Sequence, residues 1–310
     1  MNGRVQILSA IAAIQIVVIG IVWLGQGSTN EAAGAWIELD ADALTRLEFS
    51  DGENTAIVLR REDGWALDGL PADENKLSDI LDKLAKIEAP WPVGTSTDAL
   101  ERFEVNSDGF QKRVQAFAQD QVVLDLLLGT SPGYQRVHAR KAGESEVFSV
   151  ALSNYELSAS TDGWLDKALL SREAMPDSIR LKTADGRTTQ LIETDEGWLV
   201  DGEAADQESA ETYANRFTAL RVLGLHTTAT SLALKGTIEI GSPVSMTLEI
   251  YREPEEGDYV VRDVELDRAF RLATYTAEQL LMTDLSLVAD LEPSEPDVEQ
   301  VRQSDIAVDG

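Results

Sequence analysis

Few residues of this 310-residue chain have types and spacing suited to chemistry. In "QRVHAR", Arg136, His138 and Arg140 stand at positions i, i+2 and i+4, with Lys141 next in line. On a strand that spacing puts all three on one face, opposite Val137 and Ala139. Such a cationic stripe could receive a carboxylate, a phosphate or an acidic partner through charge-assisted hydrogen bonds. The competing reading is a solvated face neutralised by neighbouring Asp and Glu. The second histidine, His226, falls in the loop-like "GLHTTATS", and both imidazoles read as solvated because no local spacing supplies zinc-ligand partners. Glu38, Asp40 and Asp42 of "ELDADA" lack the glycine and terminal glutamate of a calcium loop. The phosphate-binding G-x-x-x-x-G-K-[ST] and the dinucleotide glycine pattern are both missing from the sequence. A hydrolase built from two carboxylates stays open, because such a pair need only be close in space. With 55 Asp and Glu residues, the sequence offers no way to single a pair out. No catalytic residue, metal site or cofactor is assigned, and the chain reads as a non-enzyme.

The elements that must position these residues are bounded by composition. At 310 residues and 43% hydrophobic content, the chain is long enough for two ordinary domains, each with its own core. Lys and Arg number 26 against 55 acids, giving a formal charge of −29 and a pI of about 4.3. A field of that sign repels phosphate backbones, so nucleic acid is excluded as an expected partner. The acidity otherwise describes a well-hydrated surface, or one complementary to a basic partner. The absence of cysteine rules out disulfides, thiolate metal sites and a lipid-modified N-terminal cysteine.

One segment bears on location. "ILSAIAAIQIVVIGIVWL", residues 7–24, carries no charge and is interrupted only by Ser9 and Gln15. As a helix it would reach about 27 Å, close to the hydrocarbon thickness of a bilayer. Arg4 precedes it and the first charge after it is Glu31, so the positive-inside bias puts the N-terminus in the cytoplasm and the bulk of the chain outside. An uncleaved single-pass anchor over residues 1–26 is expected. Cleavage at Ala33-Gly34-Ala35 is the alternative, although that site stands well past the apolar run.

The rest of the chain contains one pattern twice. "REDGWALDG", Arg61–Gly69, returns as "TDEGWLVDG", Thr194–Gly202, and each copy continues to an Ala-Asp pair, Ala72-Asp73 and Ala205-Asp206. Both are preceded by strand-like runs broken at Asp-Gly, Asp51-Gly52 and Asp185-Gly186. Both are followed by an Asp-capped helix, with Leu77, Ile80, Leu81, Leu84 and Ile87 on one stripe in the first copy and Tyr213, Phe217 and Leu220 in the second. Gly64-Trp65 and Gly197-Trp198 are read as the anchors of the repeat, each Trp pinning a hairpin to its helix. Fainter parallels follow, "KRVQAFAQDQVVLDLLLG" and "VHARKAGESEVFSV" against "KGTIEIG", "SMTLEIY" and "GDYVVRDVELDRAFRLA". The expected fold is α+β: a transmembrane helix, then two tandem units over 35–170 and 177–290, each about seven short antiparallel strands packed on two helices. "TDGWLD", Thr161–Asp166, ends the first unit and is not a third copy. Residues 291–310, rich in acids and prolines, read as a disordered tail.

An anchor followed by two such units resembles a bacterial family of unknown function, domain-of-unknown-function family 4340. The resemblance covers nearly all of Ala43–Leu291 and is carried by "SDGENTAIVLRREDGWALDGLPAD", "LLLGTSPGYQRVHARKAGESEVFSV" and "LKTADGRTTQLIETDEGWLVDG". It implies a periplasmic, inner-membrane-attached envelope protein serving an ABC-type permease and its ATPase, of the kind that resembles gliding-motility export components. The family brings no catalytic residues with it. A binding protein for an envelope polymer or a small anion is the second expectation.

Overall fold

Each Gly-Trp stretch builds the same corner, and the corner starts with a turn. In the computed structural model, which describes residues 36–89, 91–227, 231–241, 245–254 and 257–282, strands β1 (Arg46–Ser50) and β2 (Thr55–Arg61) pair antiparallel with Phe49 opposite Ala56. Asp51 closes the turn between them by accepting from the backbone N–H groups of Asn54 (2.8 Å) and Glu53 (3.2 Å). Strand β3 (Gly64–Leu67) pairs with β2 and returns as the two-residue β4 (Leu70–Pro71). Asp68 and Gly69 between them both have positive φ, 50° and 81°, the geometry of the two-residue hairpin whose twist matches that of its strands. Asp73 then caps helix α1 (Glu74–Ala85), accepting from the Lys76 N–H at 3.0 Å, and the helix buries Leu77, Ile80, Leu81 and Leu84, with Ile87 buried just beyond.

A second link joins strand to helix. Glu74, first in α1, reaches back so that its Oε1 accepts the Trp65 N–H at 2.5 Å. Gly64 makes room for it: a Cβ there would stand 2.4 Å from the same oxygen, and its φ of 127° disfavours any other residue. Trp65 is buried.

After α1 come β5 (Pro92–Gly94), helix α2 (Thr97–Arg102), the short hairpin β6 (Val105–Asn106) and β7 (Gly109–Phe110), and the long strands β8 (Lys112–Ala118), β9 (Gln121–Leu128), β10 (Val137–Lys141) and β11 (Val147–Val150). The main sheet of this unit is antiparallel, in the order β4-β3-β2-β1-β8-β9-β10-β11-β5. "TDGWLD" closes its core. Trp164 is fully buried and stacked on Phe49 (4.1 Å between centroids, 22°), its indole N–H donates to the Ser158 carbonyl (2.7 Å), and its own carbonyl accepts from Asp73 N–H (2.8 Å).

The second unit follows the same route. It comprises β12 (Ser178–Thr183), β13 (Thr188–Thr194), β14 (Gly197–Val200), β15 (Glu203–Ala204), helix α3 (Gln207–Asn215), β16 (Gly224–Leu225), β17 (Ala233–Ile240), β18 (Met246–Arg252), β19 (Tyr259–Asp263), β20 (Arg268–Leu272) and helix α4 (Thr274–Leu280). The order β15-β14-β13-β12-β17-β18-β19-β20-β16 repeats that of the first sheet strand for strand. Its corner is rebuilt with an amide: Gln207 Oε1 accepts the Trp198 N–H at 2.7 Å, Gly197 has φ 115°, and Asp206 caps α3 through the Ser209 N–H (2.8 Å). Tyr213 is buried on α3, whereas Phe217 and Leu220, expected on the same helix, are buried beyond its end at Asn215.

The fold is thus α+β, two large antiparallel sheets with few helices. Each of the two large sheets has nine strands where alternation predicts about seven. The additional ones, β4 and β5 with their counterparts β15 and β16, are too short for alternation to register and are strands only because a neighbour pairs with them. The compact units divide between Leu165 and Asp166. Accordingly Lys167 O accepts from Val222 N–H (2.9 Å) and Phe217 O from Arg172 N–H (2.8 Å), both within the second unit. The apolar segment 7–24 and the tail 291–310 lie outside the described residues, among which no helix is long and apolar enough to cross a membrane.

Candidate interaction surface

The cationic stripe is not a single exposed face. His138 and Arg140 are 8% and 4% exposed, and only Arg136 reaches solvent. The reason lies in residues 96–110, which lay α2 and the β6–β7 hairpin over this side of the sheet. Leu127, Val105 and Val147 form a small second core there, with Leu100, Phe103 and Phe110 packed against it. The fit is close enough that a Cβ on Gly129 would stand 1.9 Å from the Phe103 carbonyl oxygen. Arg140 Nε donates to the Val105 carbonyl (2.7 Å) and another of its nitrogens to the Glu144 carbonyl (2.8 Å), so its charge ties the hairpin down. His138 lies 2.9 Å from Thr130 Oγ1 through Nδ1 and packs on the Phe103 ring at 4.1 Å. Burial pushes its pKa down, and the nearby Arg102 guanidinium adds to that. Arg136 donates from Nε to Ser149 Oγ (2.9 Å).

The expectation of two solvated histidines is therefore corrected. The His226 side chain is also withdrawn from solvent, with Nδ1 3.8 Å from Glu253 Oε1, while its backbone N–H donates to Ala269 O and prolongs the β16–β20 ladder. Among the described residues no three His, Asp or Glu side chains are arranged to hold a metal ion.

The surface with capacity to bind lies at the other end of the same strands. The β8–β9 ribbon runs out to the Ala118–Gln121 pair, whereas β10 reaches β9 only at Leu128, Leu127 and Leu126, with one further bond from Ala142 N–H to Asp125 O (2.8 Å). Among the described residues no strand pairs with the outer side of β9 from Gln121 to Leu124. Val122 and Val123 there are 51% and 46% exposed. A cleft of about 440 Å³ runs alongside, bounded by Trp36, Glu38, Val122, Val123, Lys141 and Glu144. Lys141 Nζ sits 5.4 Å above the Trp36 ring, which itself packs on Phe148 at 5.0 Å. Asp125 on the cleft wall is held by the Arg113 guanidinium through two bonds (2.8 and 2.6 Å). An unpaired strand edge beside exposed valines and carboxylates is suited to adding an extended segment from another chain. Nothing in the sequence marks it, since alternation reads the two faces of a strand and not its edges.

Comparison with known families gives one match. A family model described as "Domain of unknown function (DUF4340)" covers residues 65–237, from the first repeat tryptophan through the second and into β17. No curated protein and no solved structure matches the chain.

Proposed function

From the premise that this chain belongs to the DUF4340 family of unknown function, we propose that it is a non-catalytic, extracytoplasmic interaction protein, anchored in a bacterial inner membrane through residues 7–24, that serves an ABC-type permease and its ATPase. The observation that carries this reading is the open edge of β9, with its apolar lip at Val122 and Val123 and a cleft alongside. Exposed apolar residues next to unpaired backbone are a liability in a free protein and an asset in one that docks. The uncharged run at residues 7–24, preceded by Arg4, supports the anchor and its orientation.

The test is affinity capture of the full-length chain from gently solubilised native membranes, with residues 7–24 exchanged for an unrelated span as a control. A permease and an ATPase are expected at near-equal amounts with either span. The double change Val122→Glu, Val123→Glu, which puts two carboxylates on the lip, is expected to lower their recovery at least about tenfold while leaving the thermal midpoint in place. Recovery of the bait alone would overturn the assignment.

A further inference from the structure

We propose that the β5 corner of the first unit rests on the lipid bilayer itself, with Trp91 seated among the headgroups of the extracytoplasmic leaflet. The contact presupposes the anchor over residues 7–24 and adds a second hold to it.

Trp91 precedes β5 in "APWPVG" and is 80% exposed, and Val93 within β5 is 43% exposed. Strand β5 is the outermost of its sheet. Pro90 and Pro92 have no N–H to donate, so this edge is a poor template for another strand. What it offers is side chains. By register the corner has no twin in the second unit. Phe148 and Phe270 hold the same place in the two sheets, paired with Ala139 and Val261 on one side and with Pro92 and Leu225 on the other. Before Leu225 stands Gly224, which is buried. The exposed indole therefore belongs to the first unit alone, the one that residues 7–24 precede.

The path of the chain picks out the surface that this corner meets. Trp36, the first described residue of the unit, donates its N–H to the Ile87 carbonyl (3.3 Å) and packs its ring on Phe148, the strand partner of Pro92. The chain arriving from the anchor thus enters the unit at the corner that carries Trp91. Only residues 25–35 lie between Leu24 and Trp36, a tether of roughly 40 Å when fully extended. Of the unit's surface, this corner is the part tied closest to the membrane along the chain. The chemistry agrees, since a tryptophan, apolar with a single N–H, settles at the boundary of hydrocarbon and headgroups. The formal charge of −29 removes the other route to a membrane, cationic attraction to anionic lipid. The contact is therefore apolar and holds on a zwitterionic surface. Trp36 also borders the β9 cleft, so the same contact keeps the docking edge near the bilayer that holds the permease.

The chain has no cysteine, so Val93→Cys gives a unique site for a nitroxide beside an intact Trp91. The full-length labelled protein is reconstituted in phosphatidylcholine vesicles. Electron paramagnetic resonance then reads collisions of the label with oxygen, which concentrates in lipid, and with a water-soluble nickel chelate. Glu62→Cys, exposed in the β2–β3 turn toward the opposite edge of the sheet, carries the reference label. The label at position 93 is expected to gain oxygen collisions and lose nickel collisions relative to that reference. Trp91→Ala is expected to cut the immersed fraction about tenfold and Trp91→Tyr to retain most of it. Because the ring is exposed, both variants keep the parent's thermal midpoint, which separates lost contact from lost folding. Nickel collisions as frequent at position 93 as at position 62, on protein that floats with the vesicles, overturn the bilayer contact and leave the anchor standing. Protection from both reagents overturns it too, since that marks contact with protein, a second copy of this chain included. So does an immersed label that Trp91→Ala leaves unchanged. Protein that no longer floats after an alkaline wash removes the anchor and this contact together.

Discussion

The two units are one strand order carried out with different fillings. A row across the first sheet joins Phe49, Val114, Leu126 and Lys141; the matching row across the second joins Leu181, Ile238, Leu248 and Asp263. The apolar members agree, and the last differs in charge and setting. Lys141 borders the β9 cleft, whereas Asp263 is buried and accepts the Leu266 N–H at 2.9 Å. The neighbouring strands differ in the same direction. In the second unit β19 pairs with β18 from Arg252 to Leu248, and Val264 N–H adds a bond to Thr247 O (3.0 Å), leaving only Met246 beyond. In the first, β9 continues through Val123, Val122 and Gln121 past the position matching Met246, with no strand paired on its outer side among the described residues. Only the first unit, among the described residues, carries the α2 and β6–β7 layer. Duplication kept the frame that folds, and the copies diverged where strands overrun their neighbours or loops are long enough to form a layer.

The largest effect tests whether the anchors are equivalent. Trp65→Ala and Trp198→Ala should each cost about 3–5 kcal/mol, read as a lower urea midpoint. Loss of partner recovery with an unchanged midpoint would show that either ring serves binding and not the core.

Next in size are the glycines that precede them. Gly64→Ala and Gly197→Ala force a side chain into a left-handed conformation against Glu74 and Gln207, at about 1–3 kcal/mol each. Glu74→Ala combined with Gly64→Ala should cost less than the sum of the two, since the clash and the bond share one oxygen. Strict additivity in a double-mutant cycle would break the claim that the corner is one device in both units.

A smaller effect separates the units by pH. The folded pKa of His138 lies below that of the unfolded chain, near 6.5. The unfolded state therefore takes up more protons on acidification. The stability tied to a neutral His138 is present above pH 6.5 and is lost as pH falls through that value toward the folded pKa. Thermal midpoints measured from pH 8 to pH 5 should fall, and His138→Gln should flatten the fall. An identical slope in the variant would place the titration elsewhere.

The smallest effect has the opposite sign. Burial pushes the Asp263 carboxyl up, so its penalty is absent below the unfolded value near 3.9 and grows as pH rises through the folded pKa. Asp263→Asn keeps an acceptor for the Leu266 N–H and should raise the midpoint by about 1–3 °C at pH 7, with no gain near pH 3. A loss at pH 7 would mean that the carboxylate is held by a charge and not merely buried.

Much of the frame was legible because its signals are local. The caps Asp73 and Asp206 and the stripe from Leu77 to Leu84 depend on residues within one or two turns of each other, and all stand where their spacing puts them. The Gly-Trp anchors were legible for the same reason, although their partners Glu74 and Gln207 were not, because a side-chain bond spanning nine residues leaves no periodic trace. Of the stripe at Arg136, His138 and Arg140, the last two lie on strand β10 with Arg136 just before it, and the side they share is covered and not an open face. Period-two alternation states which residues share a side; what covers that side was decided by residues 96–110, folded over from a distant part of the chain.

The sequence by itself determined the duplicated unit, its strands and helices, and the net charge of −29. The tertiary structure decided the far edge strands, the burial of both histidine side chains and, among the described residues, the open run of β9. Local propensity and periodicity fix conformation residue by residue, whereas edges, covers and clefts exist only once distant segments have paired and stopped at different lengths.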